Sequence, residues 1–374
     1  MKYTYLILLL IFSSCGGDTS NTFTHELKYS GTYTIYLDST TSYASLRLQY
    51  SKKNEQILWA LNTYTNTLYA YNLNSQYSQS QIKYEISGVD GVGRLEGFHI
   101  HNSDSIFLYS FKSRLLSLAD TAGRIKDRRR ILKEGKDYMV PSVDNGMPMS
   151  YYNGNMYFNC WGSNKEYYRN KKYPETLIGV YNLRDSSMIY HMPYPQIYTT
   201  GIWGIQAYPM YNVLWKESNI ICSFPIDGSI FLFDTNTNQI KEVKGKSVKH
   251  KEVHPLSKKD LKIQSANVLE ESNHYLMQNT YAYLFTNNQY LVRVYLNAMS
   301  ENQIDDLSRR KLVLQTASLI IYDDNLKIIA EVNIPDRDYL FHLCFFANDD
   351  FYIPRIDRNS EDILIFDKFN ILKK

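Results

Sequence analysis

His99-Ile100-His101 sets two imidazoles at i and i+2, a spacing that puts both on one face of an extended strand. Glu96 and Asp104 flank the pair, and neutral histidine nitrogens joined by a carboxylate are what a divalent cation takes. Only two histidines converge, however, and Asp104 falls in a turn that recurs along the chain. No cofactor is therefore expected, a divalent metal at His99 and His101 being the alternative. Arg94 and Glu96, in and after the glycine-spaced "GVDGVGR", are candidates for a channel mouth, as are Trp203, His274 and His342 on other stretches read as inner strands. That glycine run lacks the helix and Lys-Ser/Thr of a phosphate cradle. Nor does the chain contain a Gly-x-Ser-x-Gly elbow to present a nucleophile. Tyrosine is abundant, 34 of 374 residues, and two groups fall in loops: Tyr167, Tyr168 and Tyr173 in "EYYRNKKYP", and Tyr194 and Tyr198 in "YHMPYPQIY". Amphipathic rings gathered in loops make a platform for a protein or a sugar.

Four cysteines divide into one and three. Cys160, Cys222 and Cys344 sit in apolar runs and read as small buried hydrophobes. Cys15 differs, because it follows Lys2 and the short apolar run Leu6 to Phe12, too short for the roughly 20 residues that span a bilayer. This is the layout of a secretory signal, and Phe12-Ser13-Ser14-Cys15 resembles a bacterial lipobox. The resemblance implies cleavage before Cys15 and acyl chains on it. Residues 1–14 are then a signal peptide, 15–30 a lipidated tether and 31–374 one folded domain. Loss of Lys2 from 41 basic side chains leaves 40 against 38 acidic ones, which gives no reason to expect a polyanionic partner. The basic runs "RIKDRRRILK" and "KGKSVKHKEVH" read as a solvated outer strand and a solvated loop, so no nucleic-acid partner is expected.

The elements that must position these residues repeat. A polar turn, a strand, a second turn and a strand ending in Asn or Asp recur, the ends falling at Asn72, Asp120, Asn182, Asp234, Asp323 and Asp367. Two antiparallel strands bury too little apolar surface to stand alone. An apolar inner strand precedes each pair, as in "ASLRLQY", "LEGFHIH", "GIWGIQAY" and "YLFHLCFF", and a more polar strand follows most of them. Four strands per repeat make the blade of a β-propeller, most simply all-β with six blades. The longest gap, Asp234 to Asp323, accommodates either two short helices, capped at Ser257 and Ser300, or a seventh, degenerate blade. The last copy ends without a fourth strand, and "TYTIYL" at 32–37 is free to complete it.

A lipobox followed by blades such as "LEGFHIHNSDSIFLYSFKSRLLSLADTAGRI" resembles the Gram-negative lipoproteins that carry a TolB-like six-bladed propeller, many grouped only as a domain of unknown function. The resemblance implies an outer-membrane address through Cys15, consistent with Gly16 rather than aspartate after it. It carries no catalytic residues over. The expectation is a noncatalytic binding module for a protein or polysaccharide, with a channel-mouth hydrolase or lyase, metal-assisted or not, as the alternative.

Overall fold

The computed structural model describes residues 23–374 apart from 53–54, 132–138, 163–175, 205–209, 217–218, 257–267, 288, 310, 312, 335–338, 358–359 and 361. Six antiparallel sheets follow one another in the chain. Blade 1 holds β2 (Leu46–Ser51), β3 (Ile57–Asn62), β4 (Thr67–Asn72) and β5 (Ser78–Lys83). Blade 2 holds β6 (Gly97–Asn102), β7 (Ser105–Ser110), β8 (Leu115–Ala119) and β9 (Ile125–Arg130). In blade 3 the inner strand is split into β10 (Met139–Ser142) and β11 (Ser150–Tyr152), both paired to β12 (Asn155–Gly162), with β13 (Ile178–Asn182) and β14 (Met188–His191) outside. Blade 4 is β15 (Asn212–Lys216), β16 (Asn219–Ser223), β17 (Ser229–Asp234) and β18 (Gln239–Lys244); blade 5 is β19 (Thr280–Thr286), β20 (Leu291–Leu296), β21 (Ala317–Tyr322) and β22 (Ile328–Ile334). Blade 6 joins β23 (Phe345–Ala347), β24 (Asp350–Ile356) and β25 (Ile363–Lys373) to the N-terminal β1 (His25–Tyr36).

The ring is therefore latched as the sequence implies, and the latch is long. β1 pairs with β25 from His25 opposite Lys373 to Tyr36 opposite Ile363. It begins at His25, inside the stretch read as tether. This pairing explains one departure from the repeat. Asn72, Asp120, Asn182, Asp234 and Asp323 each accept backbone N–H bonds from residues just beyond them, the side-chain turn that ends a strand. Asp367 does not, because β25 runs on to meet β1. It is instead buried, accepting from the Tyr339 hydroxyl at 2.6 Å and pairing with Arg355 at 3.3 Å.

Period-two alternation along each central strand feeds two neighbouring interfaces. In β7, Ile106 and Leu108 pack toward blade 1 while Phe107 and Tyr109 pack toward blade 3. In β20, Val292 and Val294 face blade 6 while Leu291 and Tyr295 face blade 4. Each adjacent pair of blades encloses its own apolar cluster, so both faces of a blade must be apolar. The tyrosines find their use here: rings fill the interfaces and hydroxyls bond the backbone of the next blade or of the links between blades. Tyr109 donates to Pro141 O at 2.9 Å, and Tyr322 to Gly245 O at 2.7 Å. With Tyr281 and Tyr295 bonding at Ser247, Lys249 and Lys251, the segment expected as a solvated loop is strapped onto blade 5.

Two helices interrupt the β pattern, and no seventh blade forms among the described residues. The helix α2 (Glu301–Ser308) starts at the expected capping box of Ser300 and Gln303. The other, α1 (Val268–Leu276), lies downstream of the cap expected at Ser257, which is outside the described residues. Two inner strands are also displaced. Trp203 precedes blade 4's inner strand instead of lying in it, and His342 occupies a single 3-10 turn, Phe341–Leu343, before β23. His274 lies on α1, not on a strand. Trp203, Phe341 and Leu343 are buried in connecting segments, and periodicity alone does not distinguish such residues from those of a buried strand.

Candidate functional site: a strutted axial cavity

The split in blade 3 creates the site. Between β10 and β11 the segment "VDNGMPM", 143–149, leaves the sheet and crosses the ring axis. The Asn145 amide lies along β2 of blade 1, accepting from Leu48 N and donating to Leu46 O, both at 2.9 Å. Beside it, Gly146 O accepts from Val213 N of blade 4 at 3.1 Å. Blades 1 and 4 stand opposite in a ring of six, so these bonds make the segment a strut. A Cβ at Gly146 would lie 2.2 Å from Asn212 Oδ1, so any larger residue there would have to displace the Asn212 side chain. Asp144 stiffens the turn, its Oδ1 accepting from the N–H groups of Gly146 and Met147, both at 2.8 Å.

Above the strut lies a cavity of about 590 Å³, within the range of small-ligand sites. Its rim precedes the strut-bonded residues along each strand: Tyr43 and Ala44 before Leu46, and Met210 and Tyr211 before Val213. Ala44 and Met210 are exposed there. The helical insertions build one side of the rim. Tyr275 of α1 and Leu314 and Gln315 after α2 line the cavity, and Met299 N donates to Leu276 O at 2.8 Å to join the two insertions. Inside are Arg47, Asp144, Tyr283 and His342.

The electrostatics centre on Arg47. Its Nη1 donates to Leu46 O at 3.1 Å, while its Nε is buried with no hydrogen-bond partner. Burial raises the Asp144 carboxyl above its ordinary range, Arg47 opposing that shift. Burial, with the Arg47 charge assisting, lowers the His342 imidazole to about 4, so it is neutral at pH 7. Burial also raises Glu96, whose carboxylate accepts from Phe111 N and senses Arg47 and Arg94.

The residues singled out in the sequence separate. His342 enters the axial cavity, and Glu96 lies within electrostatic reach of it through Arg47. His101 sits instead against Tyr151, ring centroids 4.6 Å apart, in a cleft between blades 2 and 3, and His99 lies 6.5 Å from the Phe107 ring. Among the described residues no three His, Cys, Asp or Glu side chains are grouped to hold a metal ion. Trp203 and Tyr198 are buried in the cluster between blades 3 and 4, with Tyr194 packed against it, so these rings are core and not platform. Tyr167, Tyr168, Tyr173 and Cys15 lie outside the described residues. Arg47, Asp144, Asn145, Tyr211 and Tyr283 gave no signal as a group. The one local cue was Asp-Asn-Gly, a turn sequence inside a strand-forming stretch.

A closed ring of six blades, latched by its termini and strutted across its axis beneath an open cavity, defines a six-bladed β-propeller with one ligand-sized axial site. The chain belongs to the family described as domain of unknown function DUF4221, which matches residues 24–333. A crystal structure of a DUF4221 member from Bacteroides vulgatus is similar, with a TM-score of 0.77 at 17% identity over 94% of this chain and 99% of that one. A Bacteroides fragilis protein inferred to be exported gives a TM-score of 0.57 at 16% identity, covering 94% and 96%. No curated protein matches the chain in sequence.

Proposed function

We propose that this protein is an envelope lipoprotein, anchored to the outer membrane through acylated Cys15, whose TolB-like propeller is a noncatalytic binding module for a protein or polysaccharide. The observation that carries the reading is the axial cavity, built by a strut that costs blade 3 the continuity of its inner strand. A fold needs no such interruption to close, and backbone diverted from a sheet into a channel is a feature of sites. Export is supported by the lipobox and by the B. fragilis relative.

The test has two arms. Cys15→Ala should abolish labelling by a fatty-acid probe, and undiminished labelling would remove the anchor. Ala44→Trp, at the exposed rim, should abolish capture of envelope proteins or glycans by the immobilised full chain; capture equal to wild type would remove the cavity from the reading. A hydrolase or lyase is the second reading, favoured by Asp144 and neutral His342 sharing the cavity. Turnover of a captured ligand, lost in His342→Gln, would establish it.

A further inference from the structure

The cavity's ligand chemistry follows from three features, given the reading that the cavity is the binding site. The first is the unpartnered Nε of Arg47. A buried guanidinium donor without an acceptor is costly and calls for a missing partner. The two carboxylates near it act on it through charge and leave its Nε without an acceptor: Asp144 Oδ1 takes the N–H groups of Gly146 and Met147, and Glu96 Oε2 takes that of Phe111. His342 adds no charge, and Arg94 is exposed beyond Glu96. The planar fork of an arginine matches one group best, a carboxylate.

The second feature is the strut. Because Asp144–Met147 floors the cavity across the axis, a polymer cannot thread it and must enter by an end. The third is the wall, which is mostly apolar: Met147, Met210, Leu296, Leu314 and Leu340, with tyrosine rings between them. A sugar presents hydroxyls on every edge and would leave many of them unpaired against such a wall. An apolar side chain next to a carboxylate suits it.

We propose that the axial cavity seats the C-terminal residue of a polypeptide, its main-chain carboxylate on Arg47 and its apolar side chain against Met147, Leu296 and Leu340. End capture of this kind makes the propeller a reader of chain termini, indifferent to the fold of the partner behind them.

The test uses the full chain in detergent and N-acetyl tetrapeptides ending in leucine, as free acids and as C-terminal amides, followed by ligand-observed NMR at millimolar concentration. Loss of a charge-assisted bond pair should weaken the amide at least about tenfold relative to the acid. Arg47→Met, which keeps the apolar stem, should bring the acid down to the amide's level. The acid-to-amide ratio in the wild type decides the matter even if that variant does not fold. Equal binding of acid and amide overturns the proposal. Glucuronate binding that is lost in Ala44→Trp, with no peptide binding, overturns it while leaving the cavity as the binding site. If neither probe binds, the proposal falls, and the cavity reading then stands or falls on the capture experiment with Ala44→Trp.

Discussion

Asn145, on the strut from blade 3, pairs with the inner strand of blade 1: its side-chain amide receives Leu48 N–H and donates to Leu46 O as a neighbouring strand's peptide would. An inner strand has one hydrogen-bonding edge facing the channel, and two groups of this one, Leu48 N–H and Leu46 O, are met by a single residue, 97 positions from Leu48. Gln49 does the same between blades 1 and 2, accepting from Ile100 N at 2.8 Å and donating to Ile100 O at 3.1 Å.

Asn145→Ala should therefore remove both strut bonds to blade 1 and leave the Leu48 N–H of β2 without a partner, Leu46 O keeping only the Arg47 guanidinium. The expected loss is about 2 kcal/mol, read as a lower midpoint in urea at unchanged slope. A midpoint equal to wild type would mean that the strut is held from blade 4 alone.

Deleting residues 23–36 should lower the thermal midpoint substantially and promote association, because β25 becomes an open edge strand with exposed N–H and C=O groups. It also strips Tyr33 from the turn of blade 1, where its hydroxyl reaches Ser75 O at 2.6 Å. An unchanged melt of a monomeric product would show that the ring closes without its latch.

Arg293 is wholly buried, its guanidinium 3.7 Å over the Tyr281 ring and bonded to Ser223 Oγ and to the carbonyls of Phe224, Asp227 and Gly228. It fastens blade 5 to the β16–β17 link of blade 4. Arg293→Met should cost about 3 kcal/mol or more by orphaning those acceptors, and Arg293→Lys should not rescue it, since an ammonium supplies neither the planar fork nor the stacking. Full rescue by lysine in thermal unfolding would reduce the role to charge alone.

His342 gives the fold a pH dependence with a definite sign. Its pKa falls from 6.5 to about 4 on folding. Between those values the unfolded chain binds a proton that the folded chain refuses, so this contribution is complete above pH 6.5 and is lost as pH falls toward 4. Urea midpoints measured across that window should slope upward with pH in the wild type and less steeply in His342→Gln. Parallel slopes would place the dependence on other groups.

Cys160, Cys222 and Cys344 are free and buried, and burial raises all three thiols above their ordinary range. None should react with an aromatic disulfide reagent in the native protein, and all three should react in denaturant. Reaction of any of them in the native state would reveal local opening of an interface between blades.

What is local and repeated can be read along the chain: the Asn and Asp that end strands, the alternation that makes both blade faces apolar, the capping box of α2 and the free N-terminal strand that finishes the last blade. All but the last act within a few residues of where they are written; the N-terminal strand was legible because the final repeat lacks a fourth strand, whose place it takes. The site arises on folding. The tertiary structure sent Trp203 and Tyr198 into the core, put His274 on a helix, kept His101 out of the axis and held Asp367 in an unbroken strand. It also gathered Arg47, Asp144, Tyr283 and His342 from four blades around one cavity. The physical reason is that convergence on an axis depends on how blades are ordered around it, and on a strut whose bonds join residues nearly a hundred positions apart. No periodicity along the chain encodes such a contact.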